Sequence, residues 1–371
     1  MQETAILADA ACDMPRAMMD ALGVHTIPFR IRAGDRFVVD TRDEAALPDL
    51  YQQYLVGKQD HYAESIPLLE RELEDHLLKH VVAGCDRAIL LTIASTRSKF
   101  YANATGAVVG TVARSFKLRK DAGRSGLFDL TVIDTGAIGP GQALIVREVA
   151  RMLADGADAA AISHAVETRL RDAAHMIMVP NELLYMYTRA KQKGENSITW
   201  SRYMLGNAFN IRPIIRMHQG ETEAIGKARG QEDGIRRLLA HAENCVRAAC
   251  LLTPDISVAY AGNIDEVRAW PAWLIASRNW NTGAGVPSVP CDGGRFMKSS
   301  RSLPAVKISG LPSITITRTA GSVSAARSAS AMVWYIAAVI AFFLSMRSKP
   351  MVRMPWSIRV AMLMSNLVCL V

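Results

Sequence analysis

Paired cysteine motifs are missing from this sequence. Cys12, Cys85, Cys245, Cys250, Cys291 and Cys369 are scattered through 371 residues. They form no CxxC pair and no zinc-type spacing, which argues against a thiolate metal centre and fits a reduced compartment. There is no GxxxxGK(S/T) loop, no GxSxG elbow, no HExxH pair and no recognisable Cys and His nucleophile arrangement, so the common routes to nucleotide hydrolysis, acyl transfer and zinc hydrolysis have no carrier. A protein that binds, and is not an enzyme, is the expectation. The opening residues, MQETAILADA, lack a basic stretch followed by an apolar one. No secretory signal is read there, and a cytoplasmic location is expected.

Acidic residues run out near the end of the chain. From residue 267 onward there are 12 Lys or Arg and one acid, Asp292, whereas residues 1–266 hold 31 bases and 34 acids. The formal net charge of +8 therefore describes a tail. The body offers no basic surface for phosphates, and no nucleic-acid partner is expected.

What is present is a strand and helix alternation. The length favours two domains. Residues 1–156 place short apolar runs, Thr4 to Ala8, Val24 to Ile31, Arg87 to Ile93 and Leu127 to Asp134, between amphipathic stretches that begin near Pro15, Asp43, Pro67, Ser98 and Gly139. That pattern predicts an α/β domain with a mostly parallel sheet. Residues 157–268 change character and predict an α+β domain. It comprises an Ala-rich helix, the strand HMIMV, the helix NELLYMYTRAKQKG, a helix near Trp200 to Asn210, a hairpin turning at HQGE, a helix from Gln231 to Ala249 and the strand DISVAYAG. Asn263 reads as the cap of one more helix.

Residues 269–371 form an irregular tail in which neither period persists. It reads as unselected sequence after a reading-frame change, the other reading being a disordered tail, and on the first the second domain is incomplete. Within it, residues 328–346 carry no charge between Arg327 and Arg347, long enough at ~1.5 Å per residue to cross a bilayer core of ~30 Å. Membrane tethering through this segment is one expectation, although basic residues on both sides assign no orientation.

Three local patterns suggest chemistry. Ser95, Thr96 and Ser98 follow a buried-type strand at a helix start, where unpaired N–H groups and the helix dipole favour an anionic head group. The alternative is ordinary capping by one of the serines. Gly136, Gly139 and Gly141 run GxxGxG after Asp134, which is the wrong order and place for a dinucleotide fingerprint. A tight strand-to-helix turn is the reading, with a nucleotide-dependent oxidoreductase using Gly136–Gly141 kept as the alternative. His76 and His80 share a helix face with Glu72, but a solvated face is the better reading and no metal site is expected.

The residues also resemble the DegV family of bacterial lipid-binding proteins, from about residue 5 to 267. ILADAACDMP resembles the family's DSxxDLP turn, with Asp9, Asp13 and Pro15 in place, and LGVHTIPFRI its next strand. LTIASTRSKFYANA resembles SSxLSGTY, TVIDTGAIGPGQALIV resembles VIDSxxxSxGxG, LGNAFNIRPII resembles LGxxLNIKPIL, and KARG at Lys227 to Gly230 resembles KxRG. The resemblance implies two domains enclosing one long-chain fatty acid, with no cofactor. It also implies a partner fatty acid kinase that phosphorylates the bound carboxylate.

It implies Ser95 and Ser98 as head-group ligands, Asp9 as a turn residue beside them, and Arg229 as a cation facing the head group or a partner. Burying ~16 carbons at ~0.8 kcal/mol each would contribute about 12 kcal/mol before ordering costs. Two departures stand out: ESIPL replaces TSQPS, so Glu64 stands where the family has a carboxylate-binding threonine, and the family's closing strands, with a His and a GPG turn, have no counterpart, His241 being the last histidine. A Glu64 facing the ligand would repel a carboxylate.

Overall fold

The computed structural model describes residues 3–33, 36–42, 63–180, 210–247, 251–261, 313–319 and 337–344. In chain order these hold β1 (Thr4–Asp9), α1 (Arg16–Ala21), β2 (Val24–Ile27), β3 (Phe29–Ala33), β4 (Arg36–Asp40) and β5 (Ala63–Ile66). Next come α2 (Glu70–His80), β6 (Arg87–Thr92), α3 (Phe100–Asp121), β7 (Asp129–Asp134) and α4 (Gly139–Ala154). Helix α5 (Ala159–Ala165) widens into a π turn over Val166–Leu170 and closes with Arg171–Ala173. The remaining elements are β8 (Ala174–Pro180), β9 (Ile211–His218), β10 (Glu221–Arg229), α6 (Gly230–Arg247), β11 (Leu251–Ala261), β12 (Ser313–Thr319) and β13 (Ala337–Leu344).

The first sheet is parallel, in the order β2-β1-β6-β7. Leu7, Ala8, Ile89, Leu90 and Leu91 are fully enclosed, because strands covered on both faces need continuous apolar runs. The run expected as one strand over 24–31 divides at Pro28. Proline has no N–H to continue the ladder, so β2 pairs with β1, while β3 turns away and pairs antiparallel with β4 and β5.

Helix α2 buries Leu73, Leu77 and Leu78, with Glu70 and Glu72 in its first turn and Lys79 and His80 in its last. Those charges complement the helix dipole. At the far end of α3, Arg119 is 1% exposed and donates to the carbonyls of Cys85 at 2.7 Å and Gly126 at 3.1 Å and to Asp86 at 3.0 Å. One guanidinium thereby joins α3 to the turns flanking β6 and β7.

The second sheet runs β10-β9-β8-β13-β11-β12. The hairpin expected around HQGE is formed by β9 and β10, and Gln219 and Gly220 have φ of 49° and 78°, the geometry of a type I′ turn. Helix α4 lies between the two sheets, and one continuous apolar core runs from Ile6 and Leu90 through Leu144 and Ile145 to Met176, Ile215 and Ala259.

Two parts of the expected irregular tail are strands. SITITRT pairs parallel with β11 as β12, and residues 337–344 sit antiparallel between β8 and β11 as β13. The latter lie inside the candidate membrane segment 328–346, whose other residues are outside the described ones, and among the described residues no helix is long and apolar enough to cross a membrane. The helices expected near Asp43, over NELLYMYTRAKQKG, near Trp200 to Asn210 and after Asn263 also lie outside the described residues.

Candidate functional site

In the first sheet β1 connects outward to β2, whereas β6 connects to β7 on the other side. The carboxyl ends of β1 and β6 therefore flank a topological switch point, where open α/β sheets leave a crevice. Three turns meet there: Ala10 to Met14 after β1, Ile93 to Lys99 after β6, and Thr135 to Ile138 after β7. Their backbones are laced together, with Ala94 donating to the Ala137 carbonyl at 2.9 Å and Gly139 to that of Ala11 at 2.9 Å.

Asp9 closes β1 and is 0% exposed. One oxygen accepts the Ile93 N–H at 2.5 Å and the other the Ala11 N–H at 3.0 Å. Burial pushes its carboxyl up to about 7, opposed by these backbone donors, by Gln142 and by Arg42. Asp9 thus holds the β6–α3 turn by its backbone. Asp13, also enclosed, pairs with buried Arg42 at 2.8 Å. Burial still raises its carboxyl to about 6 against the pull of that cation.

Ser95 is exposed at the start of the turn. Its hydroxyl donates to Asp134 Oδ2 at 2.6 Å, and its N–H to Oδ1 of the same carboxylate at 3.1 Å. Asp134 also accepts the Gly136 N–H at 2.8 Å and lies 3.4 Å from Arg171. The Ser98 hydroxyl instead accepts the Phe100 N–H at 3.1 Å, capping α3. The two serines therefore share one turn, and the capping alternative applies to Ser98 alone. Arg171 had no local signal in the sequence, since it lies 37 positions from Asp134 and reaches it only because α5 ends beside β7.

The β9–β10 turn is fastened over this place from two directions. Arg97 donates to the Gly220 carbonyl at 2.6 Å and to Thr222 Oγ1 at 3.3 Å, and Thr96 donates to the same carbonyl at 3.3 Å. From the end of α5, Asp172 accepts from Gln219 at 2.9 Å, and its carbonyl lies 2.8 Å from His218 Nε2. His218 stacks on His175 at 4.2 Å, and burial holds the His175 imidazole down to about 3.

Glu64 and Arg229 are not brought to Ser95. On β3, Phe29 and Ile31 face inward, with the Phe29 ring 5.1 Å from that of Phe100 at the start of α3. Glu64 is the register partner of Arg32, on the opposite face by strand alternation, and pairs with it at 2.6 Å. The inward position of that segment belongs to Ser65, opposite Ile31. Arg229 is exposed at the end of β10, nine positions from Gly220, roughly 25–30 Å along the strand.

The other two patterns are absorbed by packing. A Cβ on Gly139 would meet Asp13 Oδ2 at 2.9 Å, and one on Gly136 would overlap the Arg171 side chain. These glycines admit the chain's own side chains, and residues 139–146 at the start of α4 are buried. Glu72 is taken by Arg30 at 3.0 Å and by the Leu69 N–H at 2.8 Å. His76 lies against His80, its imidazole held down to about 4 mainly by burial, and no group of metal-ligating side chains occurs among the described residues.

The sequence profile of the family described as "Uncharacterised protein, DegV family" matches residues 3–279, ending before β12 and β13. A DegV domain-containing protein of Xanthomonas campestris pv. campestris is 32% identical over 268 residues, which cover 72% of this chain and 84% of that one. Among solved structures, a Thermotoga maritima protein described as revealing fatty acid binding function superposes with a TM-score of 0.59 at 15% identity, covering 93% of this chain and 100% of that one. The Streptococcus pneumoniae fatty acid kinase B3 protein loaded with linoleic acid gives 0.59 at 14% identity, covering 92% of this chain and 100% of that one.

Proposed function

Because this chain belongs to the DegV family, we propose that it binds one long-chain fatty acid, holds the carboxylate at the turn after β6 and presents it to a partner kinase without transforming it. The observation that carries this reading is the exposed Ser95 hydroxyl at the switch point, flanked by Arg171 and Arg97 and backed by the capped start of α3. The ligand carboxylate competes with Asp134 for the Ser95 hydroxyl hydrogen, and Arg171 offsets the second negative charge. Asp9 acts by positioning Ile93 and with it the turn. Glu64, turned away and paired with Arg32, exerts little repulsion, and Ser65 stands closer to the threonine's role. Arg229, far along the hairpin, is assigned to the partner surface. The fatty acids bound by the Thermotoga and Streptococcus proteins support the ligand class.

Native mass spectrometry of gently purified protein, followed by solvent extraction, tests the reading. A stoichiometric fatty acid is expected, reduced by Ser95→Ala. Folded protein that neither carries nor takes up any fatty acid would overturn it.

A further inference from the structure

The β9–β10 turn lies directly on the turn that carries Ser95. A Cβ on Gly220 would overlap Thr96 Oγ1, and the φ of Gly220 is 78°, so glycine lets the two turns meet. Two fastenings of different kinds hold them. Arg97 and Thr96 grip the Gly220 carbonyl, and a guanidinium keeps its charge at every ordinary pH. The second fastening runs through a histidine. His218 Nε2 lies 2.8 Å from the Asp172 carbonyl and 3.6 Å from Asp172 Oδ1. A carbonyl only accepts, so Nε2 carries the hydrogen and Nδ1 is the atom that gains or loses a proton. Gaining it turns a neutral hydrogen bond into a charge-assisted one and sets an imidazolium beside a carboxylate.

The other groups around His218 decide whether that charge is welcome. On β10 its register partner is Glu221, a second acid. Arg216, two positions back on the same face of β9, is already paired with Glu223, and Arg171, beside Asp172, is engaged with Asp134. From β8, His175 lies parallel to His218 with ring centroids 4.2 Å apart. Burial above all holds His175 down to about 3, so it stays a neutral ring where histidines ordinarily change charge. Burial also lowers His241 of α6. The added charge therefore meets two carboxylates, two cations already paired, and two imidazoles that resist a proton. Opening the turn carries His218 away from Asp172 and forfeits that attraction.

We propose that His218 and Asp172 make the β9–β10 turn an acid-tightened strap over the Ser95 turn, held harder when His218 is protonated and slackening as pH rises. The attraction exists only while His218 is charged, so the advantage of the closed form is full in acid and fades through the histidine range. Partly exposed ion pairs contribute modestly, and the closed form should gain about two- to fivefold in population. The strap regulates the site proposed above and rests on that reading only for the cargo it retains.

Hydrogen exchange of the full chain at about pH 5.5 and pH 8, divided by the intrinsic rate at each pH, tests this without any ligand. In His218→Gln and in Asp172→Asn, amides 219–223 should be about two- to fivefold less protected than in wild type at the lower pH, with a smaller loss at the higher. His218→Gln keeps a donor for the carbonyl. Asp172→Asn keeps an acceptor for Gln219 at an exposed position, and circular dichroism checks that both fold. Asp9, which anchors the Ser95 turn through Ile93, changes with pH in all three proteins and cancels in the comparison. Equal losses at the two pH values in both variants, or no loss at the lower one, overturns the proposal. A fluorescent acyl probe should be retained at low pH by wild type more than by either variant, and release without that difference also overturns it. The expected exchange pattern in protein that takes up no probe supports the switch and overturns only the fatty-acid reading.

Discussion

Replacing Arg97 by alanine removes the charged bond to the Gly220 carbonyl at 2.6 Å and the longer one to Thr222 at 3.3 Å. A hydrogen bond to a charged donor contributes about 1.5–3 kcal/mol. The Gly220 carbonyl keeps the Thr96 hydroxyl, so the lower part of that range, roughly 1.5–2 kcal/mol, applies. At 1.36 kcal/mol per factor of ten, the open form of the β9–β10 turn should become about 10- to 30-fold more populated. Hydrogen exchange read by mass spectrometry is the assay. Amides of residues 219–223 should exchange faster by that factor in Arg97→Ala, while those of β1 and β6 keep their rates. A bound fatty acid should leave the protein faster in proportion. Unchanged exchange across the turn, or equal acceleration everywhere, would refute the reasoning, because the turn would then be held by Thr96 and Asp172 without Arg97 or the fold would have loosened as a whole.

Arg119→Met should cost about 2–3 kcal/mol, since it leaves the buried carbonyls of Cys85 and Gly126 without their donor while Asp86 keeps Arg124. A urea midpoint lowered by less than a few tenths molar would count against this. Ser98→Ala should lower stability by ~1 kcal/mol through loss of the Phe100 cap. Ser95→Ala should instead weaken fatty-acid binding roughly tenfold, with little change in melting. Titration with a fluorescent acyl probe and thermal unfolding separate the two. Asp9 sets a pH dependence. Its carboxyl keeps its proton up to about pH 7 in the folded chain, against 3.8 for the ordinary group. Its contribution to stability is therefore fully present below pH 4 and lost as pH rises through 7, with a size of a few kcal/mol. Asp9→Asn should flatten that decline in urea titrations at pH 5.5 and 8, and equal slopes in both proteins would contradict it.

Local pattern was enough for some of this architecture and silent about the rest. The apolar runs at Thr4–Asp9 and Arg87–Thr92 announced enclosed parallel strands, because two-sided burial writes itself as an unbroken hydrophobic string. Pro28 was available in the sequence as a breaker of the run from Val24 to Ile31, and the strand divides there. The hydroxyl turn at Ser95 was legible for the same reason, that helix starts have a local chemistry. Arg171 was not legible, since its place beside Asp134 depends on how α5 ends against β7. A ligand-facing Glu64 is compatible with the sequence because composition does not say which face of a strand looks inward. In the fold Glu64 pairs with Arg32, 32 positions away, on the face opposite Phe29 and Ile31. Counting residues along the HQGE hairpin would have set Arg229 at the far end of β10. The strands at 313–319 and 337–344 were hidden by a tail whose surroundings lack any period, although SITITRT alternates strictly.

Asp9 joins two chain segments 84 positions apart through the Ile93 N–H, without presenting an atom to solvent. On the proposed reading, a genetic screen for lost lipid use would therefore recover substitutions at Asp9 as readily as at Ser95. The phenotype alone would not tell a residue that touches the cargo from one that sets the doorway. The distinction would lie in rescue: excess fatty acid can restore a weakened contact, but it cannot rebuild a turn whose anchor is gone.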